Sequence, residues 1–174
     1  MRFKSILLIV LIGAAGVAAF FFIKRKGLFF KTLFNQSLTL DDRINISLDQ
    51  VLKNEGGLVN NPADSGGLTK YGISQKWHPD LDIENLTKED AKRIMYKEYV
   101  IPMMDFIRDV DLNETYQIID MAINAGVSRC KQLLSKVTPA YSFKDARIDF
   151  YNSIATGAKA QFLKGWLKRV SVVL

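Results

Sequence analysis

The chain opens on apolar positions that follow no period. Residues 6–23 read ILLIVLIGAAGVAAFFFI, eighteen uncharged positions with Arg2 and Lys4 before them and Lys24, Arg25 and Lys26 after. A helix of that length just crosses a bilayer core. With no polar face it makes a poor buried core helix. The run is expected as an N-terminal transmembrane helix, a membrane anchor over 1–26. The apolar part of a signal peptide is the alternative, weakened by the length and by the lack of an A-x-A site. Residues 27–46 show no helical period and read as a linker.

From residue 47 the pattern becomes helical. Leu48, Val51 and Leu52 line one face of a short helix over 47–54, with Ser47 and Gln50 as a capping box and Gly56 as its end. A second helix opens at Thr87, with Asp90 three positions on. Ala91, Ile94, Met95 and Tyr99 form its stripe, and Pro102 closes it. A third runs from Asn113 to Gly126 with Ile118, Ile119, Ala122 and Ile123 inward, and a fourth from Cys130 to Val137 with Leu133, Leu134 and Val137 inward. The pattern predicts a mainly α domain over 47–174, with a small loop or β-hairpin at 58–74.

Charge changes the picture in one respect. Residues 1–36 hold six basic residues and no acid, which equals the whole formal net charge of +6. The high pI therefore reports the N-terminal segment, and no nucleic-acid partner is expected. The balance of the chain is itself divided, acidic up to residue 128 and basic beyond it. That basic end either faces anionic wall polymer or phospholipid, or is a solvated helix surface. One cysteine, Cys130, excludes an internal disulfide and a multi-cysteine zinc site. It reads as a small packing residue. One histidine, His78, excludes a multi-histidine metal site and reads as a loop residue. No metal, cofactor or obligate protein partner is expected, and no G-K-[ST] phosphate loop is present.

The candidate chemistry is concentrated in Glu55 to Ser74, E-G-G-L-V-N-N-P-A-D-S-G-G-L-T-K-Y-G-I-S. Five glycines make the backbone turn sharply, so the stretch presents polar side chains rather than burying a core. Glu55 falls on the last turn of the first predicted helix, where the negative helix end disfavours its ionised form. Asp64 and Thr69 follow. Cleaving a glycosidic bond needs a carboxylic acid to protonate the leaving oxygen, and a second polar group to hold water or stabilise the cationic ring. Glu55 suits the first role, Asp64 and Thr69 the second. The other reading of Asp64 is structural, tying down the loop through backbone N–H groups.

The same stretch resembles glycoside hydrolase family 108, the secretion-activator-like lysozymes. Their pattern, E-G-G then N-x-P-x-D-x-G-G-x-T-x-x-G-I, is met by Glu55, Gly56, Gly57, Asn60 or Asn61, Pro62, Asp64, Gly66, Gly67, Thr69, Gly72 and Ile73. The order Glu, Asp, Thr is also similar to that of phage-type lysozymes. Asp120 to Val127, D-M-A-I-N-A-G-V, resembles a D-x-A-V-N-x-G element that lies beneath the cleft in that family. Arg147-x-x-x-Tyr151 and Phe162-x-x-Gly165-Trp166-x-x-Arg169 resemble its closing helices. Three positions depart from the pattern: Leu58 replaces an aromatic residue, Val100 follows Tyr99 where Y-W is usual, and Ser135 follows Leu134 where L-Q is usual.

The resemblance implies a lysozyme-like α+β fold. It also implies cleavage of peptidoglycan at the β-1,4 bond between N-acetylmuramic acid and N-acetylglucosamine. Glu55, Asp64 and Thr69 are then catalytic, with Glu55 in a site apolar enough to raise its pKa. Asn61, Tyr71, Tyr99 and Asn124 bind substrate, Asn124 by reaching across to the active-site loop. Helices over 139–174 form a peptidoglycan-binding-like piece. Tyr151 and Trp166 are either sugar platforms or packing residues, and Glu98 either a second cleft carboxylate or a helix-surface acid. A single-pass anchor would set the domain on the periplasmic or wall side, as in a phage endolysin or virion lysin. Two other functions remain open: a lytic transglycosylase, and a wall-binding or scaffold protein without activity.

Overall fold

A computed structural model describes residues 7–12, 17–22, 38–55, 58–60 and 67–174. The chain divides into two units, 1–38 and 39–174.

In the first unit the apolar run is written as two strands, β1 (Leu7–Ile12) and β2 (Val17–Phe22), paired antiparallel from Leu7↔Phe22 to Ile12↔Val17. The described residues of the run are thus strands where a single transmembrane helix was expected. The physical reason lies in composition. An unbroken apolar run carries no period that separates helix from strand. Isoleucine, valine and phenylalanine favour strands, and Gly13 and Gly16, which fall between the two strands in sequence, each disfavour helix by about 1 kcal/mol. Among the described residues no helix is long and apolar enough to cross a membrane.

The second unit begins with α1 (Leu40–Glu55). It starts inside the stretch expected as linker. The start is fixed by Thr39, whose hydroxyl accepts from the Asp42 N–H at 3.1 Å while the Asp42 carboxylate accepts from the Thr39 N–H at 3.0 Å. That reciprocal pair is a capping box, and its hydrogen bonds from the Thr39 hydroxyl and N–H hold the Asp42 carboxyl below the usual carboxylate range. Ser47, expected at the cap, is buried mid-helix and donates to the Arg43 carbonyl at 2.7 Å. Ile44, Leu48, Val51 and Leu52 form the buried face, at the spacing that puts side chains on one side of a helix.

Three short strands follow: β3 (Val59–Asn60), β4 (Leu68–Lys70) and β5 (Ile73–Ser74), an antiparallel sheet in that order. The hairpin expected at 58–74 is thus present. Next comes α2 (Lys88–Met95), opened by Thr87 and Asp90 as a capping box. Pro102 does not close the helical stretch as expected. The chain passes through a π-helical turn (Tyr96–Val100) and a 3-10 turn (Ile101–Met103) into α3 (Met104–Ile107). Pro102 sits in the first turn of the 3-10 segment, where its missing N–H leaves no hydrogen bond unmade. The wider π turn keeps Val100, Met103 and Ile107 buried.

At the centre lies α4 (Leu112–Ala125), capped by Asp111 and buried continuously from Thr115 to Ala122. Helix α1 packs along it. Gly126 ends it with φ 86° and ψ 150°, a conformation open to glycine and hardly to other residues. The reversal lets α5 (Val127–Leu134) start three residues earlier than expected. Cys130 is buried in it, and burial pushes its thiol up to about 12. The chain closes with α6 (Phe143–Ile154), a 3-10 segment (Gly157–Phe162) and α7 (Leu163–Val170). Tyr151 is buried and stacks on Trp166, ring centroids 5.3 Å apart at 20°. Of their two readings, packing is the one observed.

A buried ionic cluster joins α4 to these last helices. Arg147 and Asp120, both fully buried, pair directly, and Arg169 reaches the second Asp120 oxygen at 3.2 Å. Arg147 also donates to the Gln117 carbonyl at 3.0 Å, and the Gln117 amide donates to the Val170 carbonyl at 3.1 Å.

Candidate active site

Glu55 is the last residue of α1, and that helix is held at three places along its length. The Arg43 guanidinium donates to the Arg108 carbonyl at 2.8 Å, near the start. Asp49 pairs with Lys92 of α2 at 2.6 Å. Asn54, the residue before Glu55, donates to the Tyr116 hydroxyl of α4 at 3.2 Å, and that hydroxyl lies 3.3 Å from the Arg169 carbonyl, to which it donates. Burial pushes the Tyr116 phenol well above its usual range, so it stays a neutral donor. The end of α1 is therefore tied through α4 to the C-terminal helix. Tyr116 and Asn54 were not singled out in the sequence. Neither residue type at its position marks a link between segments sixty residues apart.

Beyond Glu55 the chain reaches Val59 in four steps, about 14 Å at most. Val59 is the register partner of Thr69, and Asn60 of Leu68. Antiparallel partners lie about 5 Å apart, so the backbone of Thr69 is within about 19 Å of Glu55 by connectivity alone. The Thr69 hydroxyl donates to the Gly67 carbonyl at 3.2 Å. With its proton committed there, the oxygen is left as an acceptor for a water or a sugar hydroxyl.

Thr69 also faces Ser74 across β4 and β5. Directly opposed residues share a face of the sheet. The Ser74 hydroxyl is buried and has no hydrogen-bond partner among the described residues. The register sets two hydroxyl-bearing residues opposite each other, and Ser74 was not singled out in the sequence.

Tyr71 and Gly72 form the two-residue loop between β4 and β5, with φ 54° and 78°. Two positive values mark the tight turn whose twist matches a hairpin. A tyrosine there costs about 1–2 kcal/mol of backbone strain. Its ring lies under the Lys70 ammonium, 5.7 Å from centroid to nitrogen, and packs partly on the core.

The remaining expected residues fall as follows. Asn61 and Asp64 lie outside the described residues. Tyr99 is half-buried against the core in the π turn. The Asn124 amide donates to the Asp120 carbonyl at 2.8 Å and to the Asp120 carboxylate at 3.2 Å, within its own helix. The reason is spacing: four residues back is the nearest acceptor for a side chain in the last helical turn. Glu98 is an exposed acid whose carboxylate lies 3.7 Å from the His78 imidazole. Leu58 is exposed. Among the described residues no group of three His, Cys, Asp or Glu is placed to hold a metal ion.

Comparison with known proteins bears on this arrangement. No curated protein matches the chain. A solved structure described as Brucella abortus SagA superposes with a TM-score of 0.58 at 24% sequence identity, over 74% of this chain and 89% of that one. The chain shares its fold. Residues 48–126, from the buried face of α1 through Glu55, the three-stranded sheet and α4 to Gly126, match the family described as glycosyl hydrolase 108.

Proposed function

We propose that the protein is a glycoside hydrolase acting on peptidoglycan, and that it cleaves the β-1,4 bond between N-acetylmuramic acid and N-acetylglucosamine. The observation that carries this reading is the family match, which spans the helix ending at Glu55 and the sheet containing Thr69 without interruption. Glu55 is the acid that protonates the leaving oxygen. Asp64 and Thr69 hold the attacking water or stabilise the cationic ring. The anchoring of α1 by Arg43, Asp49 and Asn54 supports this assignment, because an acid catalyst gains from a fixed backbone. With no covalent nucleophile evident in the motif, water attacks directly and the anomeric centre inverts.

Digestion of purified peptidoglycan by the full-length protein, followed by mass spectrometry of the fragments, tests the reading. Saccharides ending in reducing N-acetylmuramic acid are expected. Anhydro-sugar ends would assign the protein as a lytic transglycosylase instead, and intact polymer would leave it a wall-binding protein. The first-formed anomer, read by chromatography, tests inversion; a retained β-anomer contradicts it.

The substrate lies outside the cytoplasmic membrane, and we place the second unit there. The uncharged run at 6–23 and its flanking cations support association of the first unit with lipid. Full-length protein is expected in the membrane fraction after a high-salt wash, and its release by salt alone contradicts this.

A further inference from the structure

Trp77 is 76% exposed, more than any other large hydrophobic side chain among the described residues. An indole so placed leaves a large apolar surface in water. A flexible loop would fold it back onto the protein. This loop is locked. The Trp77 and His78 N–H groups both donate to the Ser74 carbonyl, at 3.2 and 3.1 Å, and the Leu81 N–H donates to the His78 carbonyl at 3.1 Å. The Gln75 amide nitrogen lies within 3.1 Å of three loop carbonyls, those of His78, Pro79 and Leu81. Ser74, which receives both N–H groups, is the strand partner of Thr69. Trp77 is thus held out by a rigid turn one hydrogen bond away from the strand pair that carries the candidate site.

The surroundings of the ring narrow what it meets. Its sequence neighbours are Lys76, whose ammonium lies 5.7 Å from the ring centroid, and His78. A second copy of the chain or a lipid surface calls for a contiguous apolar patch. A single aromatic face rimmed by hydrogen-bonding groups fits a pyranose, which has one apolar C–H face and an edge of hydroxyls. We propose that Trp77 is a stacking platform for the glycan strand, binding a sugar of the polymer alongside the bond to be cut. The proposal rests on the peptidoglycan reading above and adds to it the residue that grips the polymer.

The test uses the full-length chain and soluble glycan strands stripped of their peptides. With Glu55→Gln protein, which blocks turnover, strand binding is expected to shift the tryptophan emission. The shift persists in a Trp166→Phe background and disappears in Trp77→Phe. Trp77→Ala weakens binding about tenfold, a loss of about 1.4 kcal/mol. In protein that retains Glu55, Trp77→Ala raises KM on the strands by a similar factor and leaves kcat within about twofold. Unchanged KM in a Trp77→Ala protein that still digests peptidoglycan overturns the platform and leaves the hydrolase reading standing. A fall in kcat at constant KM also overturns it, as does loss of self-association or of vesicle binding with KM unchanged. Failure of the parent protein to bind or cut glycan overturns both.

Discussion

At the residue scale, the sheet sets two hydroxyl-bearing residues opposite each other where the sequence pointed to one. Thr69 was legible because it falls in a fixed spacing from Glu55. Ser74 was not, because only strand register shows which residue Thr69 faces. The two hydroxyls differ in what removal should do. Thr69→Ala deletes an acceptor and is expected to lower kcat about tenfold with KM little changed, while Asp64→Asn lowers it further. Ser74→Ala removes a buried hydroxyl with no partner among the described residues, so its loss is expected to leave the melting temperature unchanged or raised. Thermal melts and steady-state kinetics on the three variants check this. A lower melting temperature for Ser74→Ala would show that the hydroxyl has a stabilising partner. Residue type alone did not show that the Asn124 amide is engaged by Asp120 one turn back in its own helix.

At the element scale, the helices of the second unit were largely legible, because amphipathic periods and capping boxes are local. Thr87 with Asp90 and the helix end at Gly126 were read directly from the sequence. The errors are boundary errors with local causes. The box formed by Thr39 and Asp42 lies eight residues before the one chosen, and Ile44 was not counted into the apolar face. A π turn allows the helical path to continue to Pro102 and beyond, and no residue pattern announces it. The apolar run is a different case, since a stretch apolar at every position has no period to read, and its described residues are strands rather than the expected helix. Gly126 offers a clean test of the α4–α5 reversal. No atom lies within 4 Å of where a Cβ would sit, so only backbone strain opposes substitution. Gly126→Ala is expected to cost about 1–3 kcal/mol in urea unfolding. A neutral result would mean that the reversal adopts another conformation.

At the scale of the whole molecule, the second unit is organised around a polar spine that sequence reading did not assemble. Arg147 and Arg169 were visible only as parts of two closing motifs, and Asp120 as the start of a third. Their meeting places charges from three helices inside the core. Arg147→Ala leaves one oxygen of the buried Asp120 carboxylate without its direct partner, with Arg169 and Asn124 remaining on the other oxygen at 3.2 Å each. It is expected to cost about 3–5 kcal/mol, measured by denaturant unfolding; a loss under 1 kcal/mol would mean that water reaches the pair. The same spine reaches the candidate site, because the Arg169 carbonyl accepts from Tyr116 and Tyr116 accepts from Asn54 beside Glu55. The C-terminal helices thereby support the helix that carries the proposed acid. That acid is the centre of the account, and replacing it is the most direct test. Full-length Glu55→Gln protein, shown by circular dichroism and melting temperature to be folded like the parent, is to be assayed on purified peptidoglycan. The account predicts a loss of turnover of at least about a thousandfold with glycan binding retained; turnover near that of the parent by the folded variant would contradict it.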